Sequence, residues 1–228
     1  MGFERRKKEI LSLLAEKEFI TASDLVQRLG VSDITIRRDL SQLESLGLLK
    51  RTHGGATRVD ENPMVSFDLK SSQNEAEKRK IGEAAAKHIQ DGDVIFIDCG
   101  STTLHICLHI RKLNIKVITN SLPVVSALQN SKVKVNLIGG ELANKRQAVH
   151  GKMAVNHIHQ YHADIAFIGA DAIDLEGNLW ANSETEAEIS SAMIAASNKV
   201  YVCADSSKRG RKGYLKFSDS TAIEQIVS

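Results

Sequence analysis

The run Ser32-Asp33-Ile34-Thr35-Ile36-Arg37-Arg38-Asp39-Leu40, followed closely by Arg51-Thr52-His53-Gly54-Gly55, constrains this chain more than any other stretch, because few folds use both pieces. Upstream, Thr21-Ala22-Ser23-Asp24 offers side-chain oxygens to cap a helix that carries Leu25, Val26 and Leu29 on one face. Gly30-Val31 supplies a tight turn, and Ser32 caps the next helix. Two short helices joined by a glycine-containing turn make a helix-turn-helix unit. In the second helix Ile34 and Ile36 begin an apolar set continued by Leu40, Leu43 and Leu46, the spacing expected of one buried face. Thr35, Arg37 and Arg38 fall on or beside the other face. These are groups that duplex DNA requires: Arg can fork onto guanine, Thr can reach a base edge or phosphate, and basic charge displaces counterions. After Gly47, the sequence Leu48-Leu49-Lys50-Arg51 leading to Gly54-Gly55 suits a β-hairpin wing with Lys50, Arg51 and His53 against the DNA backbone. A solvated amphipathic helix and an ordinary turn would explain either piece alone. Together they predict a winged helix-turn-helix, with Thr21, Ser32, Thr35, Arg37, Arg38, Lys50, Arg51, His53, Gly54 and Gly55 as the expected DNA-contacting set.

Charge distribution agrees with that placement. Residues 1–58 carry 11 Lys/Arg against 8 Asp/Glu, so the chain's net +2 resolves into +3 there and −1 beyond. The asymmetry is modest and counts only alongside the motif. At 228 residues, 42% hydrophobic and 25% charged, the chain has room for two globular domains. Arg58 to Pro63 is polar and holds one of only two prolines, so the expected division is a DNA-binding domain over 1–58, a linker and the start of a connecting helix over 59–80, and a second domain over 81–228. No apolar run approaches membrane-spanning length, and the first residues lack a signal-peptide core, so a cytoplasmic protein is expected. Cys99, Cys107 and Cys203 are odd in number and lack Cys-x-x-Cys spacing, which fits reduced thiols. His105 and His109, and the group His157, His159 and His162, lack the accompanying Glu or Cys that would mark a metal site, and no metal or cofactor is assigned to them.

Beyond a helix expected over 74–89, short apolar runs at 94–97, 117–119, 133–138, 165–168 and 200–203 alternate with helical segments at 104–113, 124–129 and 184–196. That order predicts an α/β fold with a mostly parallel sheet, which binds ligands where loops leave the carboxyl ends of its strands. The first such loop, Asp98-Cys99-Gly100-Ser101-Thr102-Thr103, can cradle an anion: Gly100 permits close approach, while backbone amides and the hydroxyls of Ser101, Thr102 and Thr103 donate. It is not a Walker loop, having no Gly-Lys-Ser/Thr, and on its own it also reads as a helix N-cap. Polar loops at Asn120, Ser121, Gly139, Gly140 and Lys208 would converge with it. Asp98, Asp171 and Glu186 are candidate acceptors for sugar hydroxyls, although Asp98 also reads as a turn cap and Glu186 as a solvated helix residue.

Arg6-Lys7-Lys8-Glu9-Ile10, Leu14, Ser32, Thr35-Ile36-Arg37-Arg38-Asp39-Leu40 and Arg51-Thr52-His53-Gly54-Gly55-Ala56 together resemble the signature of the DeoR family of bacterial transcriptional regulators. Asp98 to Thr103, Thr119-Asn120-Ser121, Gly139-Gly140 and Asp205-Ser206-Ser207-Lys208 extend the resemblance over nearly the whole chain, which ends somewhat short of where the family usually does. The resemblance implies an N-terminal winged helix followed by a sensor domain similar to ribose-5-phosphate isomerase. It further implies a repressor of a sugar or polyol catabolic operon that is released from double-stranded operator DNA by a phosphorylated sugar and acts as a homodimer or tetramer. The alternative is an aldose-ketose isomerase using the same pocket, since Gly100-Ser101-Thr102, Gly169 to Asp174 and Ser207-Lys208 also resemble pieces of that enzyme family. Against it, Ile168 stands where the enzymes' first motif aspartate is expected, and 175–183 replaces their Lys-Gly-Gly-Gly segment.

Overall fold

A computed structural model describes residues 2–17, 19–46, 48–52, 54–57 and 67–228, which form two compact units, 1–73 and 74–228. In the first, α1 (Phe3–Glu16), β1 (Phe19–Thr21), α2 (Ala22–Leu29) and α3 (Asp33–Ser45) precede a hairpin of β2 (Lys50–Thr52) and β3 (Gly55–Thr57), and α4 (Phe67–Ser72) closes the unit. The cap chemistry sets these boundaries. Thr21 Oγ1 accepts from the Asp24 amide at 3.0 Å, Gly30 ends α2 at φ 63°, and Ser32 Oγ accepts from the Thr35 amide at 3.3 Å. Ile10, Leu14, Leu25, Ile36, Leu40 and Leu43 fill the core between the helices.

Ile34 and Leu46 do not join that core. They are 79% and 53% exposed, because only Ile36, Leu40 and Leu43 share a helical phase, and Ile34, two residues from Ile36, falls on the far side. Asp39 occupies part of the inner face instead, bound by the Arg6 fork through Nε at 2.6 Å and Nη2 at 2.9 Å, which fixes α3 to α1. The wing hairpin is extended by β1 into a three-stranded antiparallel sheet of order β1-β3-β2. The sequence reading assigned residues 59–80 to a linker and the start of a connecting helix. The polar stretch 58–66 lies outside the described residues, α4 belongs to the first unit through buried Phe67 and a Lys7–Asp68 ion pair at 3.0 Å, and the helix that follows belongs to the second.

The second unit starts with α5 (Glu75–Ala86) and β4 (Val94–Ile97), then α6 (Cys107–Ile110), β5 (Lys116–Thr119), α7 (Leu122–Leu128) and β6 (Lys134–Leu137). Next come β7 (Glu141–Ala143), β8 (Ala148–His150), α8 (Lys152–Ile158), β9 (Ala163–Ile168), β10 (Ala172–Ile173), β11 (Leu179–Ala181), α9 (Glu184–Ala195), β12 (Ser197–Cys203), β13 (Leu215–Ser218) and β14 (Gln225–Val227). Six strands form one parallel sheet of order β14-β12-β9-β4-β5-β6. Alternation buries both faces: Ile95, Ile97, Ile165 and Phe167 meet α5, α6 and α7, while Phe96, Ala166 and Ile168 meet α8 and α9. The helix expected over 104–113 is a 3₁₀ turn, Thr103–Ile106, running into the single turn of α6.

The order of the sheet locates its crevice. From β4 the chain proceeds outward through β5 and β6, then returns to place β9 on the other side of β4 and continues through β12 to β14. The topological switch point therefore lies between β4 and β9.

Candidate DNA-binding surface and effector pocket

On the winged-helix unit, Arg37 and Arg38 are both exposed on α3, on the side away from the core. Arg37 Nε lies 2.6 Å from Asp33 Oδ2, one turn earlier, so its guanidinium is held along the helix surface. The Thr35 hydroxyl is 2.9 Å from that of Ser32, which ties it to the cap. Lys50 is exposed on β2, whereas Arg51 turns back onto α3, its amide 2.9 Å from Glu44 Oε1 and its Nη1 2.7 Å from Ser41 Oγ. Arg37, Arg51, Thr52, Gly54 and Gly55 line one concavity with Ala22 and Leu40. Thr21, Ser32 and Thr35 thus serve the helix ends, while Arg37, Arg38 and Lys50 present charge outward. His53 lies outside the described residues.

Gly55 has a structural duty of its own. A Cβ there would lie 2.0 Å from the Ile20 carbonyl oxygen and 2.8 Å from Thr21 Cα, so only glycine lets β3 close against β1.

In the second unit, Asp98 accepts from the Gly100 amide at 2.8 Å, the Thr103 hydroxyl at 2.7 Å and the Gly169 amide at 2.6 Å. Both of its oxygens are engaged, which joins the loop after β4 to the loop after β9 across the switch point. Burial pushes its pKa upward, against the three donors. Gly100 is required by this closure, because a Cβ would come 2.9 Å from Asp98 Oδ1 and 3.0 Å from Thr103 Oγ1. Thr103 and Asp98 are therefore buried struts. Ser101 and Thr102 differ from them. Lys78, only 3% exposed on α5, donates to Ser101 Oγ at 3.1 Å, and the Thr102 hydroxyl has no partner among the described residues.

Around this loop the remaining expected residues take separate places. Ser121 Oγ caps α7, accepting from the Val124 amide at 3.3 Å. Asn120, fully buried, donates through Nδ2 to the Val149 carbonyl at 3.0 Å and leaves Oδ1 without a partner among the described residues. The Gly139 amide donates to His157 Nδ1 at 3.2 Å, and Gly140 makes room for the His150 carbonyl, which a Cβ would approach to 2.8 Å. Lys208 ends a 3₁₀ turn and, with Lys78, helps hold the Asp205 carboxyl below its ordinary range. Burial opposes that charge, but hydrogen bonds from Ser207 and Asn74 and the two lysines outweigh it.

Three residues that the sequence reading passed over complete the site. Lys78 lies in the helix expected over 74–89, with nothing in its local sequence to set it apart from the neighbouring charges. Arg146, beside Lys145 in a polar stretch, is 4% exposed and ion-paired with Glu186. Burial works against its charge, but Glu186, then Cys99, Asp171 and Asp98 raise its pKa. His150, at the end of β8, is 5% exposed with Nε2 3.9 Å from Cys99 Sγ, and its Nδ1 has no partner among the described residues. Burial lowers its pKa and so favours the neutral ring, while burial drives the Cys99 thiol up to about 12 and keeps it protonated rather than activated. Asp171 Oδ2 accepts from the Asn182 amide at 2.8 Å.

Buried Lys78, Ser101 and Thr102 at the loop after β4, and Asn120 after β5 with the buried His150 and Arg146, thus gather polar groups beside the carboxyl ends of the parallel strands. The family description "DeoR-like helix-turn-helix domain" matches residues 6–62, and "DeoR C terminal sensor domain" matches residues 73–228. The chain belongs to the DeoR family. Its relatives include a putative aga operon transcriptional repressor of Escherichia coli O157:H7, 35% identical over 99% of this chain and 86% of that protein. The lactose phosphotransferase system repressor of Streptococcus mutans is 32% identical over 100% of this chain and 92% of its own, and the L-fucose operon activator of Haemophilus influenzae 31% over 98% and 90%. Among solved structures, eIF2B delta from Chaetomium thermophilum shares the fold at a TM-score of 0.50 and 17% identity, covering 86% of this chain and 63% of that one. Ribose 5-phosphate isomerase A from Methanocaldococcus jannaschii is more distant in shape, with TM-score 0.45 and 22% identity over 60% and 55%. This DeoR-family chain is a DNA-binding transcriptional regulator, and the isomerase reading is not favoured. No helix among its described residues is long and apolar enough to cross a membrane.

Proposed function

We propose that this regulator is a cytoplasmic repressor of a sugar or polyol catabolic operon and that a phosphorylated sugar releases it from DNA. One observation carries the effector half: buried Lys78 donates to Ser101 beside the Thr102 hydroxyl, which has no hydrogen-bond partner among the described residues, in a loop that Asp98 ties to the loop after β9. A phosphate ester offers this lysine and the hydroxyls beside it an anion with several acceptor oxygens. In this reading the phosphate takes the amides and hydroxyls of Ser101 and Thr102 with Lys78 and Lys208. Asn120, His150, Arg146, Asp171 and Glu186 then face the polyol. Asp98, Thr103, Gly100, Ser121, Gly139 and Gly140 shape the pocket rather than touch the ligand.

The DNA half rests on Arg37, Arg38 and Lys50, which present charge from α3 and the wing, with Arg51 reaching a phosphate from its seat on α3. A single module of this size makes few contacts, so a homodimer or tetramer spanning two half-sites is part of the proposal. The chain's own upstream DNA, titrated with protein in the presence of hexose 1-phosphates, hexose 6-phosphates and pentose 5-phosphates, tests it. The reading expects one ester to weaken binding while inorganic phosphate and the unphosphorylated sugar do not. Turnover of that ester would instead favour an enzyme, and indifference to every ester would end the sensor assignment.

A further inference from the structure

Ile34 has no role in the core, and its position gives it another. It is 79% exposed in the first turn of α3, while Ile36, Leu40 and Leu43 are buried. Three and four residues on stand the exposed Arg37 and Arg38, which makes Ile34 their neighbour on the outward face. A β-branched side chain gains nothing from solvent and lowers helix propensity slightly, so neither folding nor solubility accounts for it. The first turn of a recognition helix is the part that reaches base edges, and the thymine C5-methyl is the apolar feature those edges present in the major groove. We propose that Ile34 is a specificity-determining residue that packs on the C5-methyl of a thymine in each operator half-site, next to the base read by Arg37 or Arg38. Asp33, beside it, pairs with Arg37 at 2.6 Å, while the isoleucine stays 79% exposed.

The proposal rests on the DNA-binding reading, and one experiment separates the two. A preferred duplex is selected from random DNA with the full-length protein, and each thymine is then replaced singly by deoxyuridine, which removes only the methyl group. The wild-type protein should lose about three- to fivefold affinity at one position per half-site, the worth of roughly one buried methyl. Ile34→Ala should bind the parent duplex more weakly by a similar factor and be indifferent to that deoxyuridine. Ile34→Gln should shift the selected base there towards adenine, while an unchanged thermal midpoint shows both variants folded. Equal wild-type affinity for every deoxyuridine duplex overturns the assignment, as does an Ile34→Ala protein that keeps the full thymine preference. Failure of the wild type to select any sequence would overturn the DNA-contact reading itself, and this inference with it.

Discussion

At the residue scale, the two ligand sites differ in how their side chains are held, and that difference sets what substitution does. Arg37 is exposed on α3, its Nε paired with Asp33, an exposed contact that costs little to exchange for a base edge. Arg37→Ala is expected to weaken operator binding by about 1–3 kcal/mol and to relax preference at a single base, measured by titrating point-mutated duplexes. Thr102 is 7% exposed and its hydroxyl makes no hydrogen bond to a described residue, so Thr102→Val removes a potential ligand donor without orphaning a protein partner. That variant should keep its thermal midpoint and its DNA affinity, yet fail to release DNA with any sugar ester. A normal response would refute the phosphate assignment. The sequence singled out Thr102 only because its Gly-Ser-Thr-Thr loop, which alone also reads as a helix N-cap, leaves a strand alongside other polar loops. It hid Lys78 and Arg146, since burial of a charge depends on packing and on partners such as Glu186, 40 positions away from Arg146 in the chain. Ile34 misled for a related reason: one apolar residue out of helical phase is invisible to a rule that counts apolar residues.

Elements show where local chemistry decides structure and where it does not. The capped helices α2 and α3, the wing and the parallel strands were legible because caps, turns and apolar runs are short-range signals. β1, the pair β7 and β8, and the small sheet β10-β11-β13 were not, being two to four residues long and stabilised by neighbours rather than by their own pattern. β1 matters because it determines what Gly55 does. Gly55→Ala forces a Cβ into the Ile20 carbonyl, so it should destabilise the winged-helix unit by roughly 3 kcal/mol and reduce DNA binding while leaving ligand binding by the second unit unchanged. In the turn between β10 and β11, Asp174 accepts from the Trp180 indole at 2.9 Å and from Asn178 and Glu176 amides at 2.8 and 3.1 Å. Burial opposes its charge, but these donors depress its pKa below the ordinary carboxylate value of 3.8. A depressed folded pKa means stability present above the unfolded value and lost as pH falls through the folded one. Asp174→Asn should therefore be less stable than wild type at neutral pH, with the gap narrowing as pH drops below about 4, as chemical denaturation followed by Trp180 fluorescence would record.

For the whole molecule, the proposal is one of linkage: DNA prefers one arrangement of the oligomer and the sugar ester another, so each lowers affinity for the other by the same factor. A coupling of about 1–3 kcal/mol, or roughly 5- to 150-fold, is the usual scale and would suffice to clear an operator. Nothing in this requires chemistry at the pocket, in keeping with Asp98 serving as a strut and Arg146 being neutralised by Glu186. The most direct measurement is calorimetric titration of the releasing sugar phosphate into the free protein and into protein saturated with its selected duplex. The expected result is weaker ester binding on DNA, by the factor with which the ester weakens DNA binding. Identical ester affinity in both titrations, or no heat from any ester, would contradict a regulator that senses sugar phosphates.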